Sequence, residues 1–130
     1  MAENPQKGAK MQVPADVERD VADYQNLQRQ LQSVLIQKQQ MQIALEEVKS
    51  ALESVEGTTG DVYKAAGGLL LSTTKEAAKK ELVDKKEMFD LRIGQITKQE
   101  TALSTKLNDL KTKLEAAAKR MQSSAPSPSS

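Results

Sequence analysis

Read as apolar and polar positions, the chain carries two long stretches with the same seven-residue rhythm. In the first, apolar side chains recur at Val17, Tyr24, Leu31, Leu45 and Leu52, and again at Leu27, Val34, Met41, Val48 and Val55. These are the a and d positions of a heptad repeat, the pattern that keeps one helical stripe facing a partner stripe. Ten of the twelve a and d positions from 17 to 55 are apolar; Asp20 and Lys38 are the exceptions. No Gly or Pro interrupts them, and Pro14 and Asp16 stand where a helix N-terminus favours a proline and an acid. A coiled-coil helix is predicted over 14–56, about 60 Å long from the rise per residue.

The second stretch repeats the rhythm at Leu82, Phe89, Ile93, Ile96, Leu103, Leu107, Leu110, Leu114, Ala117 and Met121, broken by Lys79, Lys86 and Glu100. It predicts a helix over 75–122. Thr73 and Glu76 have the spacing of a capping box, with Thr74 as the alternative cap. Gly94 falls on an outward b position and weakens the helix by ~1 kcal/mol relative to Ala. It is either a tolerated surface glycine or the site of a local bend. Two such seams joined by a short connection can fold as an antiparallel pair. Lys38 and Glu100 then lie at similar height from the turn. Either they pair and select the register, or both extend to solvent at the seam edge.

Between the helices, in segment 57–74, the rhythm gives way to VYKAAGGLLLSTT, residues 62–74. Gly67 and Gly68 supply a two-residue turn that tolerates positive φ at both positions, the signature of a β-hairpin. That register opposes Ala66 to Leu69, Lys64 to Leu71 and Val62 to Thr73. One face then carries Val62, Lys64, Ala66, Leu69, Leu71 and Thr73; the other carries Tyr63, Ala65, Leu70 and Ser72. Both faces hold large apolar groups. A lone hairpin is marginal in water and leaves strand edges unpaired. Two helices cannot cover both its faces, so it is predicted to complete a sheet with other chains through Val62, Tyr63, Ala66, Leu69, Leu70 and Leu71. The plainer alternative is a long, locally folded connection. The glycines of EGTTGD and AAGG match neither GxxxxGK[ST] nor GxGxxG, and no strand-loop-helix context surrounds them, which speaks against phosphate binding.

Composition narrows the function further. With no Trp, one Phe and two Tyr in 130 residues, a large globular core is not expected. The chain has no His and no Cys, so the commonest general base and metal ligand is missing and thiolate chemistry is excluded. No catalytic or metal-binding spacing is present, and we expect neither an enzyme nor a cofactor or metal. The net charge of +1 is split: residues 1–56 hold 6 Lys/Arg and 9 Asp/Glu, whereas residues 57–130 hold 13 and 9. Opposite-sign halves attract if they fold side by side. Basic residues of the second half are interleaved with acids and aromatics are scarce, which argues against nucleic acid. No apolar run reaches signal-peptide or transmembrane length, so a soluble, cytoplasmic chain without membrane contact is expected. Residues 1–13 read as a flexible N-terminal segment. Residues 123–130, SSAPSPSS, read as a disordered Ser/Pro tail.

Heptad helix, VYKAAGGLLLSTT and heptad helix together resemble the β-type subunits of prefoldin, most closely the archaeal form. The resemblance covers roughly residues 17–121. Its most specific part is DVYKAAGGLLLSTTKEAAKKEL, supported by LQSVLIQKQQMQIALEEVKSALE. It implies a mainly α fold, a long antiparallel coiled-coil hairpin with one β-hairpin between the helices. It also implies an ATP-independent chaperone in which two α-type and four β-type subunits join their hairpins into a β-barrel body. Coiled-coil tips would hold non-native polypeptide and deliver it to a group II chaperonin. Outside the resemblance, a structural coiled-coil adaptor or tether without client binding is the competing function.

In an antiparallel pair Met11, Val13, Val17 and Val21 approach Leu114, Ala117 and Met121. Either these residues only finish the seam, or frayed ends present them to varied partners, as flexible Met side chains permit; the resemblance implies client binding there. Leu35, Ile36, Ile43, Val83, Met88 and Leu91 lie off the seam, packing on neighbours or clients or simply scattered on the surface. The glutamine run (Gln25, Gln28, Gln30, Gln32, Gln37, Gln39, Gln40, Gln42) suits a neutral, helix-favouring solvated face. Lys113, Lys119 and Arg120 either complement a helix C-terminus or meet an acidic chaperonin surface.

Overall fold

The computed structural model describes residues 13–124. The element order is helix α1 (Ala15–Gly57), strand β1 (Val62–Ala66), strand β2 (Leu69–Thr73) and helix α2 (Lys75–Ser124). The chain is thus two long helices with one antiparallel two-stranded hairpin between them.

Each helix boundary has a local cause. The Pro14 carbonyl accepts from the N–H groups of Val17 and Glu18, both at 3.0 Å, and Asp16 and Glu18 place negative charge on the first turn of α1. At its other end Lys75 Nζ donates to the carbonyls of Glu56 (3.1 Å) and, just past the helix, Thr58 (3.4 Å), so the first residue of α2 satisfies an oxygen of the last turn of α1. The cap of α2 is Thr74: its Oγ1 accepts from Ala77 N–H at 3.0 Å, and its carbonyl from Ala78 N–H at 2.9 Å. The capping box read for Thr73 and Glu76 therefore does not form. Thr73 is the last residue of β2, held extended opposite Val62. Helix α2 continues through Ser123 and Ser124, two residues into the stretch read as tail. Each added residue needs only one more hydrogen bond once a helix is running.

Between the helices the register is Val62 to Thr73, Lys64 to Leu71 and Ala66 to Leu69, as the glycine pair predicts. Gly67 has φ 56° and Gly68 φ 83°. Positive φ at both turn positions matches the twist of the flanking strands, and side chains with a Cβ resist it.

The described residues divide into two compact units, one of residues 13–32 with 101–124 and one of residues 33–100. In the second unit, Glu56 of α1 meets Lys79 of α2 (3.3 Å) and Lys38 meets Glu100 (2.8 Å), so the helices pack antiparallel. Its best-buried side chains are Val34 and Val48, both d positions. The terminal unit pairs Asp20 with Lys113 at 2.9 Å and buries Leu103 and Ala117. Every a and d position of α1 from Val17 to Val55 is buried or half-buried. The same holds in α2 from Leu82 to Met121, whereas Lys79 is exposed. Among the described residues no side chain is completely buried, because two helices enclose a seam from two sides only.

The polar seam positions of α1 are both answered from α2. Lys38 and Glu100 pair while half-buried, which settles their alternative readings, and the Asp20 carboxylate, 14% exposed, is met by Lys113. Lys86, the remaining half-buried break in α2, pairs with Asp90 at 3.1 Å. Gly94 is exposed and nothing lies within 4 Å of where a Cβ would stand, so it is a tolerated surface glycine. All eight glutamines of the run are exposed.

A seam ion pair selects alignment more than it adds stability. Lys38→Leu alone should lower stability by about 1–2 kcal/mol in urea unfolding followed by circular dichroism, because Glu100 is left half-buried without its cation. The double variant Lys38→Leu with Glu100→Leu should recover that loss or exceed it.

Candidate interaction surfaces

The first surface is the hairpin. Its root is tied down within its own unit. Val62 and Thr73 are half-buried, and Lys64 Nζ lies 3.0 Å from each carboxylate oxygen of Glu81 on α2. That hydrogen bond first, then the charges of Lys64 and Lys85, hold the Glu81 carboxyl below its ordinary value of 4.5 against the opposing effect of desolvation. A cavity of about 280 Å³ lies beneath the root, with Ala51, Val55, Val62, Thr73 and Leu82 among its walls.

Beyond the root the apolar side chains have no cover. Leu70 is 73% exposed, Leu69 65% and Tyr63 56%, with Leu71 also exposed and Ala66 half-buried. Among the described residues neither strand has a second neighbour, so each keeps an outer edge of unpaired backbone groups. Of the residues read as an assembly element, Tyr63, Leu69, Leu70 and Leu71 are thus open. Val62 is engaged at the root. The exposure follows from length: five residues per strand, of which only the ends against the helices find packing partners.

The second surface is a groove of about 560 Å³ in the terminal unit, lined by Val13, Val17, Val21, Leu114, Ala118, Met121 and Gln122. It brings together five of the seven residues singled out in the sequence. Met11 lies outside the described residues. Ala117 is not in the groove: at 5% exposure it is seam core. Ala118 and Gln122 were missed, although Ala118 stands four residues after Leu114 and three before Met121, a spacing that puts it on their flank. Val13 and Val21 are exposed, while Val17, Leu114 and Met121 are half-buried where the seam meets the groove. No lining residue is charged.

Away from both surfaces, Ile43 sits in a shallow depression with Gln39, Gln42, Glu46, Glu47 and Ser50, and Leu35, Ile36, Met88 and Leu91 are exposed. Val83 is half-buried. Lys113 is engaged by Asp20, so its first role is inside the unit. No helix among the described residues is long and apolar enough to cross a membrane.

Comparison with known proteins agrees with this geometry. The family described as prefoldin subunit matches residues 18–120. The chain belongs to the prefoldin family. It is 38% identical over 107 residues to prefoldin subunit beta of Pyrococcus furiosus, covering 81% of this chain and 92% of that one. Prefoldin subunit beta of Archaeoglobus fulgidus is 36% identical over 106 residues, with 80% and 91% covered. Among solved structures, the prefoldin beta subunit from Thermococcus strain KS-1 superimposes with a TM-score of 0.78 at 34% identity, covering 83% of this chain and 96% of that one. The chain is therefore a β-type prefoldin, a subunit of a hetero-oligomeric chaperone.

The tie between Lys64 and Glu81 has a pH signature. A depressed carboxylate stabilises the fold while ionised, and that contribution is lost as pH falls through the folded-state pKa. In an NMR titration Glu81 should protonate below 4.5 in the parent chain. In Lys64→Met its midpoint should move up toward the ordinary glutamate range.

Proposed function

We propose that this prefoldin is one of four β-type subunits that join two α-type subunits in a hexamer through their hairpins. In this reading the terminal unit holds non-native polypeptide for delivery to a group II chaperonin. The work needs neither ATP nor catalysis, and takes place in the cytoplasm.

The observation that carries the reading is the uncharged groove of Val13, Val17, Val21, Leu114, Ala118 and Met121 in the terminal unit. Apolar side chains at the opening of a seam offer contacts without demanding a particular partner sequence. Met121 adds a side chain that can repack around different shapes. One such groove binds weakly. Several on one assembly engage the same chain together and gain through effective concentration. The hairpin supports assembly for a separate reason: Leu69, Leu70 and Leu71 are too exposed, and the strand edges too open, for a chain that works alone.

Two measurements separate a chaperone from a tether. Co-expressed with an α-type subunit, the parent chain should give a hexamer by native mass measurement. Leu70→Asp should fail to assemble while keeping its helical circular dichroism. An L70D complex of normal mass would remove the hairpin from the assembly role. With Val13→Gln and Val21→Gln combined, the complex should form normally. Its suppression of the aggregation of a chemically unfolded protein without ATP should fall severalfold. Undiminished suppression would place client binding elsewhere or nowhere on the chain.

A further inference from the structure

We infer that the terminal groove takes its client as an amphipathic helix and not as an extended strand. The inference rests on the client-binding reading of that groove and adds the conformation of what is bound.

The groove runs along residues 13–21 of one wall and 114–122 of the other. At the rise of an α-helix the wall on α2 is ~12 Å long, a little over two turns. Val17 and Val21 stand four residues apart on α1, with Val13 just ahead of the helix, and Leu114, Ala118 and Gln122 keep the same spacing on α2. Rows at this spacing are the ridges between which a third helix seats its own side chains.

Backbone chemistry points the same way. An extended segment laid in the groove carries peptide N–H and C=O groups out of water, and each needs a partner. The walls offer almost none. Along the helices the main chain is bonded to itself, and the lining holds one polar side chain, Gln122. Where α1 begins, the N–H groups of Val17 and Glu18 are already taken by the Pro14 carbonyl. Backbone groups without an intrahelical partner fall at the helix ends, in the first turn of α1 and the last turn of α2, and not along the middle of the groove. A helix arrives with its peptide groups already paired and presents only side chains, as in other helix-in-groove complexes. Extended segments have a better place on this chain, along the open edges of β1 and β2.

Charge and size define the occupant further. Because no lining residue is charged, the buried face of the client helix is uncharged, with Leu, Val, Ile, Met or Ala at i, i+3 or i+4, and i+7. A groove two turns long covers well under the roughly 1,000 Å² of a stable interface, so each engagement is short-lived. Nascent helices that flicker in unfolded chains are matched to such a site.

The test uses fluorescein-labelled peptides of 14 residues and identical composition, read by anisotropy against the full-length chain. One peptide places its leucines and valines at helical spacing and carries an i,i+4 lactam staple. The other alternates apolar and polar residues. The stapled peptide should bind at least tenfold more tightly. Val21→Glu with Ala118→Glu, both at exposed and helix-compatible positions, should weaken it at least tenfold with unchanged circular dichroism. If the alternating peptide binds as well or better and the Glu variant still loses it, the groove remains the client site and the helical inference falls. If the Glu variant changes neither peptide's affinity, the groove is not the site and both readings fall.

Discussion

A seam between two helices buries one stripe from each and nothing more, and the rest of this structure depends on that limit. Among the described residues four side chains are buried, Val34, Val48, Leu103 and Ala117, two in each compact unit. There is no third layer to cover an off-seam leucine, the faces of a hairpin or the opening of the seam. Stability has to come from repetition of half-buried a and d contacts, each modest in area. Whatever lies outside the stripe stays in water until another chain arrives.

The same limit explains how polar seam residues are handled. A carboxylate or ammonium held at the edge of a seam needs a counter-charge within reach, and with only two helices it must come from the partner helix or one turn along its own. Asp20 has Lys113, Lys38 has Glu100, and Lys86 has Asp90. The excess of acid in the first half and of base in the second is expressed locally, in Asp20 with Lys113 and Glu56 with Lys79. Mispairing by one heptad would separate these charges, so the pairs act on alignment.

Function follows from where cover is missing. The hairpin is anchored at its root by Val62, Thr73 and the contact from Lys64 to Glu81, and left bare from Leu69 to Leu71. The groove in the terminal unit is bare for the same geometrical reason, and its walls, apart from Val13, are helical and carry no strand edge. One surface therefore exposes strand edges and leucines. The other offers only side chains. The two surfaces are chemically distinct, and both are left open by the same two-helix fold.

Much of this was legible in the sequence because heptad spacing and the Gly67-Gly68 turn are local rules. Apolar periodicity marked the seam residues, and positive φ at two adjacent positions required glycine, which set the hairpin register. Local spacing also left choices open. Thr73 and Thr74 are equally good caps on paper, and pairing of Thr73 with Val62 decided for Thr74. Ala117 and Ala118 are chemically identical neighbours, yet a rotation of ~100° along the helix buries the first and opens the second onto the groove. For Lys38 the sequence left pairing with Glu100 and exposure to solvent both open, and for Lys75 and Lys113 it did not point to the carbonyls or the carboxylate they reach. Their partners lie 62, 17 or more, and 93 positions away, and only the packing of one helix on the other brings those atoms together.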